Sequence, residues 1–170
     1  METKELGGQQ IEVDEDGFIQ DPSAWNEGVA ADLAESQIKE CMEAAITHFS
    51  RQDGLDSLHE LPGVRSALTS LTSAGCLLGL VTGNLEPIGW GKLKQAGIDN
   101  FFSLGGFGNE HISRTRLVEL AIEKAAQKHG FFNGGKVWLF GDTPKDVEAA
   151  KEAGAVAVGV ATGPFSEEDL

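Results

Sequence analysis

Two short segments of the chain place oxygen-bearing side chains beside glycine at the ends of apolar runs. After CLLGLV comes Thr82-Gly83-Asn84, a hydroxyl, then a residue that lets backbone approach an anion closely, then an amide. After KVWLF comes Gly141-Asp142-Thr143-Pro144-Lys145-Asp146, where two carboxylates four positions apart bracket a Thr-Pro helix start. Hard cations take oxygen ligands and helix starts favour anions, so this set suits Mg²⁺ together with a phosphate group. Each segment also has a plainer reading. Thr-Gly-Asn is compatible with a simple turn, and Asp146 can be a capping partner for Thr143. One DxDG sequence, Asp14-Glu15-Asp16-Gly17, adds a third acidic set near the N-terminus.

In open parallel sheets ligands bind beyond the carboxyl ends of the strands, so the two exits meet only if their apolar runs are parallel neighbours in one fold. The pattern from Pro62 onward supplies this. Val64, Ala67, Leu68 and Leu71 predict a helix ended by Gly75, and CLLGLV predicts a strand covered on both faces. A second helix is expected from about Pro87 to Gly97, leading into FFSLGGF. Ser113 caps a third, with Leu117, Val118, Ala121, Ile122 and Ala125 inward and an end near Gly130. The strand KVWLF, a helix from Pro144 to Ala153 closed by Gly154, and the strand AVAVGV complete the series. Strands alternating with helices predict an α/β fold with a doubly wound parallel sheet.

The composition narrows the partners. The 170 residues hold 27 acidic and 13 basic side chains, a net charge of -14, which argues against nucleic acid and anionic membranes as partners. Residues 1–40 carry 11 acidic and 2 basic residues, net -9, and residues 41–170 carry 16 and 11, net -5. The acidity is thus concentrated in an N-terminal segment, and the seam is expected at 40/41. There QQIEV alternates, Asp16-Gly17 is a hairpin-turn dipeptide and FIQ resumes the pattern, predicting a small hairpin. Asp21-Pro22-Ser23 opens a helix with Trp25, Val29 and Leu33 on one face. A second helical run carries Ile38, Cys41, Met42, Ala45, Ile46 and Phe49.

Cys41 and Cys76 stand in apolar runs without CxxC spacing, so core thiols in a reducing compartment are expected. Met1 to Gly8 lacks the basic start and apolar run of a signal peptide, and no run approaches the ~18 apolar residues of a membrane span, which places the expectation in the cytoplasm. Ser166, with Asp169 three residues on, reads as a capping-box start, so the chain is expected to stop where another helix begins.

With both exits in view, the sequence resembles the haloacid dehalogenase superfamily of phosphohydrolases, in its phosphoglycolate-phosphatase-like branch. LVTGN is similar to the second motif, a strand ending in Thr or Ser. FGDTPKDVEAAKEAGA is similar to the fourth, GDxxxD followed by a helix. The likeness runs from about residue 43 to 170, including PGVRSALTSL, TGNLEPIGWGKLKQAGI and VGVATGPFS. It implies a Mg²⁺-dependent site for a small phosphorylated metabolite. Thr82, Gly83 and Asn84 would hold the phosphoryl group, Asp142 would bind Mg²⁺ and Asp146 would support it. The basic third motif falls on Arg114, at a helix start, in preference to Arg116; a solvated helix-face charge is the alternative for Arg114. The first motif, an apolar strand ending in DxD, falls on Asp14 and Asp16, as nucleophile and acid/base and as further metal ligands.

The residues before Asp14 permit a different reading. In that family the first strand lies mid-sheet, yet Gln9, Gln10 and Glu12 are polar, and each unpaired polar group there costs on the order of 1 to 3 kcal/mol. Phe18 also stands where the family has Thr. Residues 7–38, GGQQIEVDEDGFIQDPSAWNEGVAADLAESQI, resemble instead the start of the DsrC/TusE sulfur-relay family, whose working cysteines have no counterpart here. Two functions therefore stand side by side: a phosphomonoesterase acting through an aspartyl-phosphate, and a metal- or phosphate-binding domain without turnover whose acidic N-terminal segment engages a protein partner. Sulfur relay is the third and weakest.

Overall fold

The structure is a computed structural model and describes residues 2–13, 19, 21–24, 26–51, 58–130 and 136–170. Asp14, Asp16, the Asp16-Gly17 turn and Trp25 lie outside the described residues. The chain divides into two compact units, Met1–Gln52 and Asp53–Leu170.

In the first unit, β1 (Glu2–Leu6) pairs antiparallel with β2 (Gln9–Val13), Leu6 opposite Gln9. Gly7 and Gly8 form the turn with φ of 57° and 71°, values that side-chain-bearing residues resist and that tight two-residue hairpin turns require. The hairpin is thus built one strand earlier than the alternation predicts. Of the pairing expected between QQIEV and FIQ, one bridge, Val13 to Ile19, is present among the described residues. ETKEL escapes sequence reading because Leu6 is its only apolar residue. The alternation of β2 still sets its facing, with Ile11 and Val13 buried and Gln9, Gln10 and Glu12 exposed.

A single 25-residue helix, α1 (Glu27–Arg51), replaces the two helical runs expected there. Asn26 Oδ1 accepts the Val29 N–H at 3.0 Å at its start, and the Gly7 N–H donates to Asp32 Oδ2 at 2.7 Å, tying the hairpin turn to the helix. Leu6, Ile11 and Val29 form the core of this unit, flanked by Ile19, Ala24 and Leu33. Past these first turns α1 is largely exposed. Cys41 is therefore an exposed thiol and not the core thiol expected, because the unit's apolar cluster ends before the helix reaches it.

The second unit alternates α2 (Val64–Ser73), β3 (Gly79–Thr82), α3 (Glu86–Gln95), β4 (Leu104–Phe107), α4 (Arg114–His129), β5 (Trp138–Gly141), α5 (Pro144–Glu152) and β6 (Val156–Gly159). This is the α/β architecture with parallel strands that the alternation predicts. β3 pairs parallel with β4, Thr82 opposite Phe107, and β5 pairs parallel with β6, Gly141 opposite Gly159. Among the described residues no ladder joins the two pairs. They are linked by helices: α4 packs on β3 and β4 and against α5, which covers β5 and β6.

Leu104, Ala121 and Ala125 form the core between β4 and α4, with Leu77 and Val81 against them. Cys76 is exposed, which corrects the second core-thiol expectation. Its N–H closes α2 on Leu71 O at 3.0 Å while the Gly75 N–H reaches Thr72 O, a Schellman ending that spends the first residues of CLLGLV before the strand begins at Gly79. Nor is β3 covered on both faces, since its residues are half-buried or exposed. On β5 and β6, Trp138, Phe140 and Val156 are exposed on the face away from the buried Ala149 and Ala150 of α5. No helix among the described residues is long and apolar enough to cross a membrane.

Candidate active site

The carboxyl ends of β3 and β5 carry the two exits, and α4 brings a cation between them. Thr82 ends β3. Its Oγ1 accepts the Asn84 backbone N–H at 3.1 Å and the Asn84 Nδ2–H at 2.8 Å, so the loop folds back on the threonine instead of running on as strand. The Gly108 N–H donates to Asn84 O at 2.9 Å and pins this loop to the end of β4. Lys92, on α3, donates to Asn84 Oδ1 at 3.1 Å.

At the other exit, α5 begins with the capping box that Thr143 and Asp146 permit. Thr143 Oγ1 takes the Asp146 N–H, and Asp146 Oδ2 takes the Thr143 N–H at 3.2 Å and its hydroxyl at 2.7 Å. Asp146 is buried and lies directly over Gly141, where a Cβ would stand 2.2 Å from the Asp146 Cβ. That contact explains the glycine of the GDxxxD pattern: any side chain at 141 would displace the carboxylate. Asp142 takes no hydrogen bond or ion pair among the described residues. It rests against Gly163 in the chain leaving β6, where a Cβ would come within 2.6 Å of its Oδ2.

Arg114 opens α4 immediately after its cap, Ser113, whose hydroxyl accepts the Arg116 N–H. Its Nε donates to Asp146 Oδ1 at 2.7 Å. Burial alone would raise the Asp146 pKa, but the hydrogen bonds from Thr143 and Arg114, with the charge of Arg114, outweigh it and hold the carboxyl below its ordinary value. The Nη groups of Arg114 take no partner among the described residues, and Nη1 lies 3.9 Å from where a Cβ on Gly83 would stand. Arg116 is spent elsewhere, on Glu119 and Glu123 of its own helix.

The geometry therefore gathers Thr82, Gly83 and Asn84, through Arg114, with Asp146, and sets Asp142 at the end of the same strand as Gly141. Chemically these groups offer donors suited to an anion: a threonine hydroxyl and the free Nη groups of a guanidinium held by a carboxylate. For Mg²⁺ the donor chemistry fits at Asp142, a carboxylate with unshared oxygens. It does not fit at Asp146 as a direct ligand, because both its oxygens are engaged and a guanidinium sits against one. No group of three or more His, Cys, Asp or Glu side chains among the described residues could hold a metal ion alone. Asp14 and Asp16 lie outside the described residues, while β2, which precedes them, makes its ladder with β1. Sequence reading missed Lys92. Its only signal is position, two helical turns past the Thr-Gly-Asn exit, which without the fold cannot be told from a solvated lysine.

Comparison with known proteins places the chain in a family. The protein family described as haloacid dehalogenase-like hydrolase matches residues 18–160. The chain is 30% identical over 115 residues to phosphoglycolate phosphatase of Vibrio cholerae, covering 68% of this chain and 50% of that one. It is also 30% identical over 118 residues to phosphoglycolate phosphatase of Synechococcus elongatus, covering 69% and 53%. The chain thus spans about half the length of the curated relatives it matches. A crystal structure from Thermotoga maritima, provisionally assigned as a beta-phosphoglucomutase, superposes with a TM-score of 0.57 at 26% identity, over 65% of this chain and 51% of that one. A predicted phosphatase from Clostridium acetobutylicum shares the fold, with a TM-score of 0.52 at 22% identity over 64% and 50%.

Proposed function

Because the chain belongs to the haloacid dehalogenase-like hydrolases, we propose that its site binds the phosphoryl group of a small phosphate monoester and supports Mg²⁺-dependent hydrolysis. The observation that carries this reading is the approach of Arg114 to the Thr82-Gly83-Asn84 loop, with Asp146 fixing the guanidinium from behind. An arginine whose Nε is pinned by a carboxylate keeps its two Nη groups for phosphoryl oxygens, and the loop adds neutral donors beside them. Asp142 would hold Mg²⁺, which supplies positive charge against the phosphoryl oxygens when bound.

In this reading Asp14 supplies the nucleophile. A carboxylate oxygen forms a bond to phosphorus, the bond to the ester oxygen breaks, and Asp16 gives that oxygen a proton. Water then attacks the phosphorus of the aspartyl-phosphate, losing its proton to Asp16, and phosphate leaves with the carboxylate restored. Turnover of p-nitrophenyl phosphate with Mg²⁺ by wild type, Asp14→Asn and Asp142→Asn tests it. Loss in both variants supports the full mechanism, and activity surviving Asp14→Asn removes that residue from it.

One observation favours a second reading, a domain that binds phosphate and metal without turnover. β2, which leads to Asp14, is a half-exposed strand paired antiparallel with β1, unlike the parallel strands that end in Thr82 and lead into Asp142. This reading expects phosphate to bind wild type and Asp14→Asn equally, with no hydrolysis by either.

A further inference from the structure

The Thr82 loop contains a hydrogen-bond arrangement whose polarity follows from Lys92. An ammonium group donates and never accepts, so the atom of Asn84 facing Lys92 Nζ, at 3.1 Å, is Oδ1. This turns Nδ2 toward Thr82, where it lies 2.8 Å from Oγ1, and the Asn84 backbone N–H approaches the same oxygen at 3.1 Å. A threonine hydroxyl has two lone pairs and one proton. Both lone pairs of Thr82 Oγ1 are engaged by Asn84, and its proton has no acceptor among the described residues.

We propose that Lys92 is a positioning residue that, by fixing the Asn84 amide, makes the Thr82 hydroxyl an obligate donor and so tunes the site for unprotonated oxygens of a tetrahedral oxyanion. Were Asn84 free to turn its amide, Oδ1 could accept the Thr82 proton and the hydroxyl would be satisfied inside the loop. Lys92 prevents this. It is half-buried, and among the described residues no carboxylate pairs with it, so its donation to Asn84 is uncontested. The inference rests on the phosphoryl-site reading above and assigns Lys92 no contact with substrate.

The experiment is a double-mutant cycle read by calorimetric binding of inorganic phosphate in the presence of Mg²⁺, with thermal melts of each protein. Thr82→Val and Lys92→Met should each weaken phosphate binding on the order of tenfold, the scale of one hydrogen bond to a charged group. The double variant should bind no more weakly than Thr82→Val alone, because Lys92 acts through the hydroxyl that is already gone. Lys92→Arg, which still donates to Oδ1, should restore most of the affinity lost in Lys92→Met. Losses that multiply in the double variant, unchanged binding in Lys92→Met, or a lowered melting temperature with unchanged affinity each overturn the role of Lys92 while leaving the phosphoryl site standing. Wild type that binds no phosphate overturns the phosphoryl-site reading itself, and the role of Lys92 with it.

Discussion

Asp146 receives Arg114 Nε at 2.7 Å on one carboxylate oxygen and the N–H and hydroxyl of Thr143 on the other. One side chain thus starts α5 and aims a guanidinium supplied by α4. The capping role of Asp146 falls to Oδ2, while Oδ1 holds Arg114.

Asp146→Asn should cost about 1 to 2 kcal/mol, since one amide oxygen cannot accept from both Arg114 and Thr143. Urea unfolding measures the loss. Phosphate binding should weaken alongside it, because Arg114 is left without its anchor.

The same pair gives a pH dependence. The Asp146 carboxyl is held below its ordinary pKa in the fold, first against the cost of burial and then by Thr143 and Arg114, so the unfolded chain binds its proton more readily. The stability it contributes is whole above the unfolded carboxyl value of about 4, and is lost as the pH falls through the lower folded value. In urea melts between neutral pH and pH 3, the gap between wild type and Asp146→Asn should narrow only below about pH 4. A gap that widens toward acid would reverse the sign.

Asp142→Asn should separate function from folding. Asp142 has no protein partner among the described residues, so the substitution should change stability by no more than about 0.5 kcal/mol. Magnesium affinity, followed by calorimetry, should fall sharply.

Gly141→Ala should destabilise by about 1 to 3 kcal/mol, because the new methyl would stand 2.2 Å from the Asp146 Cβ and the helix start would have to shift. Thermal melts of Gly141→Ala and Asp146→Asn, alone and together, should show losses that do not add, since both disturb one carboxylate.

The legible parts of the fold were those encoded over a few neighbouring residues. Ser113 at the start of α4, the Thr143-Asp146 capping box and the alternation of helices with strands each depend on spacing that a single sequence displays. The illegible parts depend on distant partners. The mate of β2 was hidden because Glu2–Leu6 has almost no apolar pattern, and the burial of Cys41 was overestimated because an apolar stripe says nothing about whether another layer meets it. In the site, the hydroxyl and carboxylates stood out at the two exits. Lys92 did not, because its meaning lies in which atom of Asn84 it faces.

Among the described residues no ladder joins β3 and β5, which bears on how the site could move. Thr82 ends β3 and Asp142 follows β5, strands that share no hydrogen bond among the described residues, so there their separation is set by the seating of α4 against α5 and by the Arg114–Asp146 contact. The two halves can part by a sliding of helices with every strand hydrogen bond intact, a lower-energy route than unzipping a sheet. Amide exchange in the Thr82 loop and at the start of α5 should then quicken together when Arg114 is truncated, while exchange within each strand pair stays slow.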